Sequence, residues 1–160
     1  SLGHGLSAGV GMALAGRLHQ KDYHVWIVLG DGEIQEGSVW EAAMSAGNWQ
    51  LDNLTAILDR NHLQNDYCVD DLMPVEPVAD KWRAFGWNVV EVDGHKMEEI
   101  VPALEGAKAA HGIPTLILAH TVKGKGVSYM ENVCEWHGKA PCKEEADKAL
   151  EEIRRCSSEF

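Results

Sequence analysis

Gly30-Asp31-Gly32-Glu33-Ile34-Gln35-Glu36-Gly37 follows directly on Val25-Trp26-Ile27-Val28-Leu29, an unbroken apolar run. Such a run is the pattern of a parallel strand buried on both faces, so Asp31 is expected at the strand's carboxyl end. The glycines beside it permit positive φ and a close approach of backbone to ligand, and in open α/β sheets ligands bind at this edge. Ser38 followed by Glu41 reads as a capping box opening the next helix. A second apolar run, Leu54-Thr55-Ala56-Ile57-Leu58, ends in Asp59-Arg60-Asn61 and carries Asn61 to the same edge, thirty residues after Asp31.

The Asp31 carboxylate, the Asn61 amide oxygen and a loop carbonyl such as that of Leu63 are hard oxygen donors. They suit octahedral Mg²⁺ or the more tolerant Ca²⁺, which take their remaining ligands from water and phosphate oxygens. Such a site holds a diphosphate through its metal. The formal charge is −11, with 25 acidic against 14 basic side chains. That balance argues against nucleic acid or an anionic membrane surface as the principal partner. An acidic protein that binds a diphosphate needs a local device to offset repulsion, and a divalent cation provides one.

With 160 residues, the chain is one diphosphate-binding domain, long enough to bury about two-thirds of its unfolded surface. Cys68, Cys134, Cys142 and Cys156 show no C-x-x-C spacing, as expected of reduced thiols in a cytoplasmic protein. Cys134, His137 and Cys142 lack a fourth zinc ligand at sensible spacing. There is no apolar stretch long enough to span a bilayer, and the first residues form neither a signal nor a transit peptide. The chain opens at Ser1 inside a glycine-rich loop, as a domain truncated at its N-terminus or one subunit of a split enzyme would.

Helical and strand periods alternate along the rest. A small-residue helix from Leu6 to His19 is read as packing closely on another helix. One from Ser38 to Gly47 places Trp40, Ala43, Met44 and Gly47 on one face, read as core or subunit interface rather than cofactor contact. An acidic loop from Gln64 to Glu76 precedes a short helix to Phe85, a strand from Trp87 to Val92, and a helix from Lys96 to Ala110. Pro102 predicts a kink or early break in that helix. A strand from Thr115 to His120, a long loop, and an amphipathic helix from Lys143 to Arg155 with Ala146, Leu150 and Ile153 on one side complete the chain. Alternating strands and helices give an α/β fold with a mainly parallel sheet flanked by helices.

Gly30-Asp31-Gly32 with Asn61 resembles the thiamine-diphosphate motif. Ser1-Leu2-Gly3-His4-Gly5 is similar to the Ser-Leu-Gly-Gln-Gly loop of transketolases, with His4 in place of the glutamine. Together with Asp93-Gly94-His95, Lys123-Gly124-Lys125-Gly126 and Trp136-His137-Gly138-Lys139 in one order, the chain resembles the PP-type, diphosphate-binding domain of transketolase nearly end to end.

The resemblance implies thiamine diphosphate with Mg²⁺ or Ca²⁺ as cofactors. Asp31, Asn61 and the Leu63 carbonyl would be metal ligands; Leu2, Gly3, Gly30, Gly32, Glu33, Asn61 and His137 would contact the cofactor. His137 would act in catalysis on the donor sugar and Lys139 near the acceptor phosphate. Lys123 and Lys125 read either as solvated loop charges or as a guard of the substrate channel, and Glu36 either reaches across a subunit interface or is exposed.

The implied reaction moves a two-carbon ketol unit from a ketose phosphate to an aldose phosphate, as in the pentose phosphate pathway. The implied partner is a pyrimidine-binding subunit or domain, in a homo- or hetero-oligomer, which supplies the activating carboxylate that this chain lacks. The alternatives are a non-catalytic binding or scaffold module of the same fold and part of a deoxyxylulose-phosphate synthase.

Overall fold

In the computed structural model, which describes residues 2–157 and the side chains up to residue 155, four strands form one sheet. They are β1 (Val25–Gly30), β2 (Leu54–Arg60), β3 (Asn88–Asp93) and β4 (Thr115–His120). All neighbours pair in parallel, in the order β1-β2-β4-β3. Gly30 stands opposite Asp59, and Arg60 opposite His120. The loops that follow β1, β2 and β4 therefore leave the sheet side by side, at the edge where a parallel sheet collects its ligands. Ser1 of the opening loop and the Cys156 thiol lie outside the description; Cys68, Cys134 and Cys142 are free.

One face of the sheet carries Leu29, Leu54, Leu58 and Leu116 against α1 (Gly5–Leu18), α2 (Gly37–Asn48) and α4 (Val78–Ala84). On the other, Ile117, Ala119 and Val92 pack on Ala103 and Ala107 of α5 (Met97–Ala109). α1 packs on both α2 and β1; a Cβ at Gly9 would lie 2.7 Å from Ile27 of β1, and one at Gly16 would lie 2.8 Å from the ring of Tyr23, just before that strand. The small residues thus serve a helix-to-strand contact as well as the expected helix-to-helix one. Among the described residues no helix is long and apolar enough to cross a membrane.

Several expectations fail for identifiable reasons. β1 is an edge strand, and α5 lies mainly over β3 and β4, so Trp26 is 38% and Val28 69% exposed rather than buried. The capping box does not form. Glu36 is the N-cap of α2, and Ser38, inside the first turn, donates its hydroxyl to the Gly3 carbonyl at 2.9 Å. α2 buries Val39, Ala42, Ala43 and Ala46, while Met44 faces out.

α5 runs through Pro102 without a break. Pro102 sits on the exposed side, and the Glu98 carbonyl that loses its donor belongs to an exposed residue of the first turn, where solvent can satisfy it. β3 begins at Asn88; Trp87 instead buries its ring and donates Nε1–H to the Ala43 carbonyl. The acidic loop contains a short helix, α3 (Val69–Leu72). On α6 (Lys143–Ser157) Ala149 is buried, and Leu150 and Ile153 are exposed.

Candidate functional site

A cavity of about 590 Å³ opens where β1, β2 and β4 end. Its walls come from distant pieces of chain: Leu2, the stretch 30–36, the segment 59–72, Lys123 and His137. Another cavity, of about 540 Å³, lies at the opposite end of the strands, lined by His24, Trp26, Asp52 and Lys108. Only the first combines a buried carboxylate, an amide oxygen and open glycine backbone.

Asp31 is 1% exposed. Its Oδ1 accepts the Gly32 N–H at 2.8 Å, and its Oδ2 accepts the His62 N–H at 2.6 Å and Arg60 Nη1 at 2.9 Å. His62 takes a left-handed backbone (φ 64°) directly after Asn61. Asn61 Oδ1 accepts the Leu63 N–H at 3.0 Å, an Asx turn that fixes the amide. A carboxylate offers about four lone-pair directions. Three are used, and the free one is on Oδ1. One carboxylate, one amide oxygen and a neighbouring carbonyl make a donor set that fits a hard divalent cation able to share phosphate oxygens.

Glycine backbone shapes the rest of the cradle. A Cβ at Gly30 would meet nothing, leaving room for a ligand against the main chain, whereas one at Gly32 would lie 2.8 Å from Gln64 Cβ. Gly3, at φ 79°, packs so tightly that a Cβ would lie 2.9 Å from Glu36 Cβ. The Glu33 carboxylate accepts the Gly3 N–H at 2.9 Å and the Gly30 N–H at 3.2 Å, tying the opening loop to the end of β1. Leu2 is thereby held on the rim, 68% exposed.

From the far side, Lys123 Nζ lies 3.4 Å from His137 Nδ1, and both line the cavity. Lys125 instead pairs with Glu131 at 3.8 Å. Lys139 lies on an adjoining hollow, its Nζ 4.2 Å from the Trp136 ring centre and 3.6 Å from Glu145. His4 is the N-cap of α1 and is exposed, and Glu36 lines the cavity. Asp93-Gly94-His95 stands behind the site: His95 Nε2 accepts the Val122 N–H at 2.8 Å, and the Gly94 N–H bonds the His120 carbonyl. That turn buttresses the loop that presents Lys123.

Sequence reasoning misses Arg60. It is 1% exposed and faces three acids: Asp31 at 2.9 Å, Asp70 at 2.6 Å and Glu76 at 3.0 Å. Arg60 and His62 hold the Asp70 carboxyl below the usual carboxylate range. At Glu76 burial works against ionisation, but the Val78 N–H and Arg60 outweigh it and lower its pKa. The signal available in the sequence is an arginine at a buried strand end next to Asn61, followed by an acid-rich loop. Tyr67 and Leu72, exposed apolar side chains on the same wall, leave no comparable signal.

Comparison with known proteins bears on this geometry. Residues 1–155 match the family described as transketolase, thiamine diphosphate binding domain. An apulose-4-phosphate transketolase subunit of Phocaeicola vulgatus is 45% identical over 153 residues, covering 96% of this chain and 54% of that protein. A 6-deoxy-6-sulfo-D-fructose transketolase subunit of a Clostridium species is 46% identical, covering 97% and 56%. The chain spans about half the length of these relatives. It superimposes on the crystal structure of transketolase from Campylobacter jejuni with a TM-score of 0.90 at 35% identity, over 96% of this chain and 25% of that one.

Proposed function

The chain belongs to the family of transketolase thiamine-diphosphate-binding domains, and from that premise we propose that it is the diphosphate- and metal-binding part of a transketolase. In this reading it transfers a two-carbon ketol unit from a ketose phosphate to an aldose phosphate, as a pentose-phosphate-type enzyme in the cytoplasm, once joined by a pyrimidine-binding partner in an oligomer. The observation that carries it is the buried Asp31 carboxylate, whose one free lone-pair direction is on Oδ1, beside Asn61 on a cavity rimmed by Leu2.

Each residue then has a task. Asp31, Asn61 and the Leu63 carbonyl hold Mg²⁺ or Ca²⁺, which neutralises the diphosphate in a chain of net charge −11. The open backbone at Gly30 faces the diphosphate, whereas the Gly32 N–H, expected to bond the diphosphate, is given to Asp31 Oδ1; Glu33 holds Gly3 and Gly30 so that Leu2 stays on the rim. Thiamine diphosphate, when bound, supplies the carbon centre that carries the ketol unit. His137, with Lys123 beside it, is suited to a donor hydroxyl or phosphate oxygen, and Lys139 to the acceptor phosphate.

The partner follows from the chemistry. Thiamine needs a carboxylate on its aminopyrimidine ring, and two acids of this cavity are engaged elsewhere: Asp31 with Arg60 and Glu33 with two backbone N–H groups. Relatives that are named as single subunits of a transketolase support a division between two chains. The test measures ketol transfer and C2-proton exchange with thiamine diphosphate and Mg²⁺, with and without a pyrimidine-binding chain. Activity only in the mixture is expected. Fast exchange by the chain alone would overturn the division of labour, and cofactor binding without turnover in any mixture would favour a non-catalytic module.

A further inference from the structure

The cation site faces the cavity on one side and a buried guanidinium on the other. Resting on the proposed cation site, we infer that Arg60 is a positioning residue that holds Asp31 with Oδ1 free for the cation and, through Asp70 and Glu76, locks the segment after β2 against the cavity. The geometry is specific. Nη1 donates to Asp31 Oδ2 at 2.9 Å, Nη2 to Asp70 Oδ1 at 2.6 Å, and Nε to Glu76 Oε1 at 3.1 Å. Three separate N–H groups of one planar fork reach three acids, which a lysine ammonium cannot do from the same stem.

Oδ2 is filled by Arg60 and the His62 N–H, so the lone pair left open is on Oδ1. Asp70 also bonds His62 Nδ1 at 2.7 Å, and Glu76 caps the Val78 N–H at 2.8 Å. The segment from Asn61 to Val78 is thus pinned at its start, middle and end by a network with Arg60 at its centre. The same segment supplies Leu63, Gln64, Tyr67 and Leu72 to the cavity. Cation binding and order of this wall are therefore coupled through one side chain.

The experiment uses the full chain and two readouts. Amide hydrogen exchange without ligand follows His62, Val69, Met73 and Val78, whose N–H groups are all bonded within the segment or to Asp31. Calorimetry with thiamine diphosphate gives the Mg²⁺ midpoint. Arg60→Lys keeps the charge and is expected to speed exchange at these amides and to raise the Mg²⁺ midpoint by about tenfold or more, the scale of an outer-shell partner. The double variant Asp70→Asn with Glu76→Gln alters two half-exposed carboxylates and keeps their size and one acceptor oxygen on each. It leaves the Arg60–Asp31 bond in place and is expected to speed exchange while raising the Mg²⁺ midpoint less than Arg60→Lys does, which a general loss of structure would not do.

Exchange as slow as in the parent in both variants, or an unchanged Mg²⁺ midpoint in Arg60→Lys, overturns the inference. A parent chain that binds thiamine diphosphate equally well with and without chelator overturns the cation reading itself; the exchange arm then still decides whether Arg60 locks the segment.

Discussion

Glu33 grips Gly3 across the mouth of the cavity: its Oε1 accepts the Gly3 N–H at 2.9 Å, while its Oε2 reaches the Gly30 N–H at 3.2 Å. Two glycines from separate segments are held by one carboxylate, and the opening loop has little else to fix it beyond the Ser38 hydroxyl. Hydrogen bonds to a charged group contribute roughly 1.5–3 kcal/mol each when buried. Both bonds here are part-buried, so Glu33→Ala is expected to lower stability by about 1–2 kcal/mol and to weaken thiamine diphosphate binding through a displaced Leu2. Urea denaturation and calorimetry check the two effects, and Glu33→Gln, which keeps one acceptor oxygen, should fall between.

Asp31→Ala is expected to remove the Mg²⁺ dependence of cofactor binding altogether. It also leaves Arg60 buried with two partners instead of three, so stability should fall by about 3 kcal/mol, the lower end for a broken buried pair. Titration with and without chelator reads the first effect, and denaturant midpoints read the second. Equal affinity in both titrations of the parent would remove the metal role.

His137 is exposed on the rim and touches Lys123 alone among the side-chain hydrogen bonds of the described residues. Its replacement by alanine should change stability by no more than about 0.5 kcal/mol. Cofactor affinity, or donor turnover in the enzyme reconstituted with its partner, should fall. Unaltered turnover with a normal KM would return His137 to a surface role.

Gly47 tests the packing of α2 against the turn before β3. A Cβ there would stand 1.8 Å from the Phe85 carbonyl oxygen, a backbone atom that cannot step aside. Gly47→Ala should cost about 3 kcal/mol, at the upper end for overpacking, and the thermal midpoint should drop accordingly. Gly11→Ala, in the same kind of helical setting but with nothing near its Cβ, is the matched control and should be neutral or stabilising.

His24 gives the fold a pH dependence near neutrality. Burial lowers its pKa below the usual 6.5, and Lys108 lowers it further, against a smaller opposing pull from Asp52. Because the unfolded chain then binds the proton more readily, stability rises with pH between the folded pKa and 6.5. The contribution is complete above that value and is lost as the pH falls. Denaturant midpoints between pH 7.5 and 5.5, a range of about one unit either side of the usual value, should decline in the parent and decline less in His24→Gln. An identical slope in both would exclude His24 as a source.

Much of the architecture is legible in the order of residues alone. Apolar runs ending in Gly30 and in Asp59-Arg60-Asn61 indicate parallel strands that deliver Asp31 and Asn61 to one edge, and both residues line the cavity there. The succession of four strands along the chain, the helices between them and the loop bearing His137 are readable in the same way, because periodicity and glycine placement act over a few residues.

What only the tertiary structure decided involves residues far apart in sequence. That β1 is an edge strand, with Val28 in the open, depends on the sheet order and on where α5 lies, and an apolar run reports composition but not neighbours. Ser38 serves Gly3 rather than its own helix, because the opening loop comes close enough to compete for its hydroxyl. Arg60 reads as a polar residue at a strand end, yet it is buried since Asp31, Asp70 and Glu76 converge on it from two segments. A charge can be buried only where its partners meet, and that meeting point is set by the folded chain.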